Sequence, residues 1–120
     1  MEIVIFGAFL MISGQGIFLR ARSENKFFTT VVRIQTERGH SVCSSGPYRV
    51  IRHPGYLGMV LSTAGVPLVL DSIWSAVPSC VSVILLVVRT SLEDRTLQTS
   101  LGGYPEYAAK IRYKLLPGVW

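Results

Sequence analysis

Three apolar runs, at residues 3–19, 56–70 and 73–88, restrict what this chain can fold into. A long stretch almost free of charge is most simply satisfied as a helix in lipid, where no water is available to bond an open backbone. Within residues 1–19 only Glu2 and Gln15 are strongly polar, and such a segment just crosses a hydrocarbon layer of about 30 Å. The second and third runs fall short of the ~20 residues of a usual span. Only Asp71 and Ser72 part them, so residues 56–88 read as a helical hairpin with its polar turn at the far membrane face. Pro54, Trp74 and Arg89 then sit in the interfaces, or the helices pack against protein. Pro67 and Pro78 kink such helices, which is tolerated where neighbours satisfy the freed carbonyls.

Composition agrees with lipid, and the length of 120 residues holds one domain. The chain is 49% hydrophobic and 16% charged, with a mean hydropathy of +0.42, on the membrane side of globular averages. A net charge of +5 would suggest nucleic acid in a soluble protein, but the basic residues alternate with apolar runs and form no single patch. They have a topological reading instead. Residues 20–52 hold seven basic and two acidic side chains, the tail from Arg89 holds five and three, and the hairpin turn has no basic residue. The positive-inside rule puts the loop (20–55) and the tail (89–120) in the cytoplasm, with Met1 and Asp71 opposite. The tail reads as a helix at 89–101, a Gly102-Gly103 break, and a short helix near 105–113 before a Pro117-Gly118 turn. The acidic second residue and the lack of a basic n-region or Ala-x-Ala site favour a retained helix over a signal peptide. Cys43 and Cys80 have no metal spacing and belong to no disulfide framework, so no metal site is expected. The fold class is therefore an all-α, multi-pass membrane protein with about three spans. A soluble three-helix core is the alternative.

The densest chemistry lies in Gly46-Pro47-Tyr48-Arg49-Val50-Ile51-Arg52-His53-Pro54-Gly55-Tyr56. The prolines fix φ and remove donors, while the glycines let another group approach the backbone. A bound ligand is one explanation. The other is that Arg49 and Arg52 are interfacial anchors and Tyr48 and Tyr56 part of an aromatic belt, which leaves His53, fixed between Arg52 and Pro54, unexplained. Past the third run, Arg89 and Glu93 share a helix face four residues apart. They form either a surface ion pair of about 0.3–0.5 kcal/mol, with Asp94 and Arg95 as further surface charge, or part of a pocket facing the His53 loop.

The blocks GPYRVIRHPGY, Arg-x-x-x-Glu-Asp and LGGYPEYAAKIRYKLLPGVW, with an apolar hairpin between the first two, occur in this order over residues 31–120. This pattern resembles the C-terminal catalytic region of the isoprenylcysteine carboxyl methyltransferase family, which is related to membrane phospholipid methyltransferases. The resemblance implies S-adenosylmethionine as cofactor, bound on the cytoplasmic side. By similarity Gln35, His40, Ser41, Val42 and Cys43 match cofactor-contacting positions. So do Tyr48, His53, Pro54, Gly55, Tyr56 and Glu93, and Arg89 matches an arginine assigned to the substrate. Val42-Cys43 stands where the family has Leu-Val, and Gln35 and His40 lie closer together than in eukaryotic members. One apolar run precedes the region where the family generally has more helices, which implies a truncated form, a minimal member, or a site completed by homo-oligomerisation.

These residue types suit methyl transfer to a carboxylate or other nucleophile of a lipophilic or prenylated substrate reached among membrane lipids. In-line displacement needs alignment in a water-poor site and no acid–base pair. Arg89 would hold an ionised carboxylate, whereas an amine acceptor would call for a base, with His53 the first candidate. Two other readings compete: an NADPH-dependent membrane reductase of the sterol C14-reductase type, which shares a His-Pro-x-Tyr element, and a non-catalytic membrane scaffold.

Overall fold

The computed structural model describes residues 1–28 and 34–120; the described residues form helices and connecting turns, with no strand among them. α1 is Glu2–Glu24, α2 Pro54–Val69, α3 Ile73–Ser100 and α4 Tyr104–Lys110. Two single-turn 3₁₀ segments, Thr36–Arg38 and Gly46–Arg49, shape the long connection between α1 and α2.

α1 and α2 pack antiparallel, with Gly7 opposite Gly65 and Gly14 opposite Gly58. A Cβ built on Gly14 would lie 2.5 Å from the Gly58 carbonyl oxygen, and one on Gly65 would lie 2.6 Å from that of Gly7. The backbones therefore touch where other helices would interpose side chains. Close van der Waals approach through small residues is a packing that suits helices in lipid, which offers no hydrophobic gain for bringing them together. Ser62 adds a bond to the Met11 carbonyl at 3.3 Å.

At the other end of α2 the chain reverses over Leu70–Ser72, with Asp71 in the left-handed region at φ 48°. The Ser72 N–H donates to the Pro67 carbonyl at 3.2 Å and the Ser75 hydroxyl to the Ser72 carbonyl at 2.8 Å. α3 then continues unbroken from Ile73 to Ser100, where the sequence suggests one helix to residue 88 and another from 89. The difference has a simple cause: no glycine or proline lies between Ser79 and Ser100, so nothing ends the helix where its composition turns polar. α1 likewise runs past residue 19 to Glu24, supported by an Arg20–Glu24 pair at 3.3 Å. α4 ends at Lys110, short of the expected 113, and starts after Gly103, whose φ of 85° makes the helix break.

α1 and α3 are long and apolar enough to cross a membrane, and only 11% of each apolar window is buried in the protein. Ile5, Phe6, Phe9 and Ile12 on α1, and Trp74, Val77, Val81 and Ile84 on α3, are exposed. Such continuous faces are foreign to a soluble monomer and normal in lipid. The packed core sits elsewhere, at the end carrying the α1 C-terminus, where Ala21 meets Tyr48, Leu101, Tyr104, Tyr107 and Ala108.

The α1–α2 contact is testable against an internal control. Gly14→Leu and Gly58→Leu should each lower the thermal midpoint in detergent, by the equivalent of about 1–3 kcal/mol of overpacking. Gly16→Leu, whose Cβ would meet nothing within 4 Å, should leave the midpoint in place. Equal behaviour of all three variants would refute backbone-to-backbone packing.

Candidate functional site

The connection from α1 to α2 folds into a cradle at the polar end of the helices. The Gly46–Arg49 turn buries Tyr48, whose carbonyl accepts from the Tyr107 hydroxyl at 2.6 Å and whose own hydroxyl accepts from Asn25 at 3.4 Å. Burial pushes the Tyr48 phenol up to about 12, and Tyr104 and Tyr107 rise for the same reason. All three stay protonated at neutral pH. The Arg52 and His53 N–H groups donate to the Tyr113 and Lys114 carbonyls at 2.8 and 2.9 Å, so the segment beyond α4 takes up the turn's backbone. Pro54 then opens α2 where a missing N–H costs nothing. A Cβ on Gly55 would lie 2.5 Å from the Phe28 ring, so only glycine allows this closeness.

A cavity lies beneath the turn, its empty space about 940 Å³ when the open solvent at its mouth is counted. Phe18, Phe27, Phe28, Met59, Leu97 and Leu101 make its apolar wall. Phe18 meets Phe28 edge-on at 5.3 Å, and Phe27 stacks on His40 at 4.5 Å. Of the residues singled out in the sequence, His40 to Cys43 form one side, Tyr48, His53, Gly55 and Tyr56 another, and Arg89 and Glu93 a third. Gln35 and Pro54 stand behind the lining. Gln35 is 1% exposed; its amide donates to the Phe27 carbonyl at 2.7 Å, its carbonyl accepts from Arg38 at 2.6 Å, and its N–H donates to His40 Nδ1 at 3.0 Å. It braces Phe27 and His40 and leaves its own polar atoms engaged.

Arg89 and Glu93 form no direct ion pair among the described residues. Tyr56 stands between them: its hydroxyl accepts from Arg89 Nε at 2.9 Å and donates to Glu93 Oε2 at 2.5 Å. Among the described residues, no partner bonds the two terminal nitrogens of Arg89, which lines the cavity. The fork thus retains donors for an anionic ligand.

Asp94 corrects a sequence expectation. Read as further surface charge, it is 2% exposed and collects four side-chain donors. Arg52 Nη2 and His53 Nε2 each lie 3.0 Å away, the Tyr104 hydroxyl 2.8 Å and Gln98 Nε2 2.7 Å. Arg52 is 7% exposed and also reaches the Ala108 carbonyl at 3.3 Å, which overturns its reading as an interfacial anchor. Arg49 remains exposed. Asp94 had a legible signal: Thr90, Asp94, Leu97 and Leu101 recur at helical spacing, and the first three lie on the face of α3 turned inward, with Leu101 capping its end. Tyr107 carried no comparable signal, since its partner Tyr48 lies 59 residues away in sequence, and Tyr104 reaches Asp94 across the Gly102-Gly103 break, where helical phase no longer applies.

The site can be set beside known proteins. A family model described as phospholipid methyltransferase matches residues 3–103. A probable protein-S-isoprenylcysteine O-methyltransferase of Oryza sativa subsp. indica is 32% identical over 108 residues, 88% of this chain and 56% of the relative. Protein-S-isoprenylcysteine O-methyltransferases A and B of Arabidopsis thaliana are 31% and 28% identical over 109 residues, 88% of this chain and 55% of each relative. The chain thus spans about half the length of the curated relatives it matches. No solved structure matches it significantly. With a family model covering most of its residues, the chain belongs to the phospholipid methyltransferase family.

Proposed function

We propose that this chain is an S-adenosylmethionine-dependent methyltransferase of the isoprenylcysteine carboxyl methyltransferase type, acting on a carboxylate of a lipophilic substrate. One observation carries the reading: a single cavity joins an aromatic wall to an arginine fork and a carboxylate linked through Tyr56. When bound, S-adenosylmethionine supplies an electrophilic methyl group, and its transfer to a carboxylate consumes one positive and one negative charge and releases no proton.

The residues present fit that cofactor. Aromatic faces at Phe27, Phe28 and Tyr56 attract a cation by their π-systems, and the Glu93 carboxylate adds opposite charge. His40 to Cys43, Tyr48, His53, Gly55 and Tyr56 form the cofactor side, with Gln35 and Pro54 supporting them from behind. Arg89 holds the acceptor carboxylate, which is ionised at neutral pH, and Tyr56 fixes Arg89 relative to Glu93. The apolar wall excludes water, so the loss of charge in the transition state proceeds at low dielectric. Titration with S-adenosylhomocysteine and with NADPH tests the reading against a reductase. Binding of the former alone is expected; binding of NADPH alone, or of neither, defeats it.

In this reading α2 is a third crossing. Its 16 residues rise roughly 24 Å, enough when Pro54 and Leu70 lie in the interfaces. The pairing of Gly7 with Gly65 puts Met1 and Asp71 at one end, opposite the basic loop and tail, and the positive-inside rule makes the cavity end cytoplasmic. Single cysteines at position 71 should label from outside, and those at 24 and 106 only from the cytoplasm. Reversed labelling would put the cavity on the side without S-adenosylmethionine.

The roles of Arg89 and Glu93 separate in binding and turnover measured together. Arg89→Ala should cut methyl transfer into a lipid extract by about ten- to hundredfold, the effect of losing a charged hydrogen-bond donor, with S-adenosylhomocysteine affinity nearly unchanged. Glu93→Ala should reduce both. Full activity in Arg89→Ala removes its substrate role, and unaltered affinity in Glu93→Ala removes Glu93 from the cofactor side.

A further inference from the structure

His53 and Asp94 hold a relation that neither the cavity lining nor family membership assigns. His53 lines the cavity, while Asp94 lies behind it and touches no ligand space. The carboxylate oxygen Oδ1 faces His53 Nε2 at 3.0 Å and also accepts from the Tyr104 hydroxyl at 2.8 Å. Oδ2 is taken by Arg52 at 3.0 Å and Gln98 at 2.7 Å. A carboxylate only accepts, so the ring must present N–H at Nε2. The tautomer of an imidazole is set by the bond its other nitrogen makes. Nδ1 of His53 has no hydrogen-bond partner among the described residues.

We propose that Asp94 is a positioning residue that selects the His53 tautomer protonated on Nε2, leaving Nδ1 as the ring's acceptor for a hydrogen-bond donor of the ligand, such as an amino or hydroxyl group. Three donors besides His53 hold the Asp94 carboxylate in place, so the selector is itself fixed. A cavity residue that would otherwise present either an N–H or a lone pair is thereby committed to one. The effect on turnover rests on the methyltransferase reading; the tautomer does not.

Nitrogen NMR of protein labelled with ¹⁵N-histidine tests this directly, because the chain has only two histidines, His40 and His53. The signals lost in His53→Gln give the assignment. In its singly protonated form the wild-type ring should carry its proton on Nε2 alone. In Asp94→Asn the amide oxygen is drawn to the cationic Arg52 side and its NH₂ turns to His53, so the proton should move to Nδ1. Tyr104→Phe removes a neighbouring donor and should leave the tautomer unchanged. Methyl transfer in Asp94→Asn should fall about ten- to hundredfold. A wild-type ring protonated on Nδ1, or on both nitrogens, overturns the proposal even if no variant folds. So do unchanged signals in Asp94→Asn, or a proton shift in Tyr104→Phe. A wild-type protein with the expected tautomer but no methyl transfer defeats the methyltransferase reading and leaves the selector role supported.

Discussion

A carboxylate taken out of water costs several kcal/mol unless other groups replace its hydration. Asp94 meets that condition with donors from Arg52 and His53 in the connection, Gln98 on its own helix, and Tyr104 on α4. Hydrogen bonds to a charged group contribute about 1.5–3 kcal/mol each. No one element supplies enough of them, so the charge is satisfied only when connection, α3 and α4 are assembled together. Arg52 shows the converse: its Nε is buried with no partner among the described residues, an unsatisfied donor costing about 1–3 kcal/mol. Its guanidinium sits where Asp94 and the Ala108 carbonyl place it, at the expense of its own solvation.

Adjacent residues on a helix point about 100° apart, and Glu93 and Asp94 use that angle. Glu93 faces the cavity and meets Tyr56; Asp94 faces the framework. A rotation of α3 that displaced one would displace the other, so the cavity's acidic group is held by the same contacts that close the core. The unbroken course of α3 past Val88 makes this possible, since a break at Arg89 would have uncoupled the polar segment from the apolar one.

The helical class and the apolar segments are legible in the sequence because they depend on local composition, and so is the turn at Asp71. Element ends are less so: α1 and α3 outrun their apolar runs because helix propensity continues where hydropathy stops. The reading of α4 overran its end, where the chain leaves the helix after Lys110 and pairs with the backbone N–H groups of Arg52 and His53. Most residues singled out for the site do come together around one cavity. What sequence reasoning passed over was Asp94, because an acidic residue beside Arg95 looks solvated until its helical phase with Thr90, Leu97 and Leu101 is followed. The Tyr56 bridge and the Tyr107 phenol depend on contacts across 33 to 59 residues, which periodicity does not reach.

The two ends of the molecule are held together by different physics, and the cavity lies where they meet. Along α1 and α2 the helices join through glycine backbones, a packing that also works where lipid removes any gain from burying side chains. Around Ala21, Tyr48 and Tyr107 the chain instead buries aromatic rings and a hydrogen-bonded charge, as proteins do in water. The cavity takes Phe18 and Met59 from the first region and Tyr48, His53 and Tyr104 from the second. A lipophilic acceptor and a polar, charged cofactor each need a wall of their own kind, and neither region alone offers both. Under the proposed function, the junction is therefore the place where the two reactants can be held within reach of each other without either being desolvated against an unlike surface.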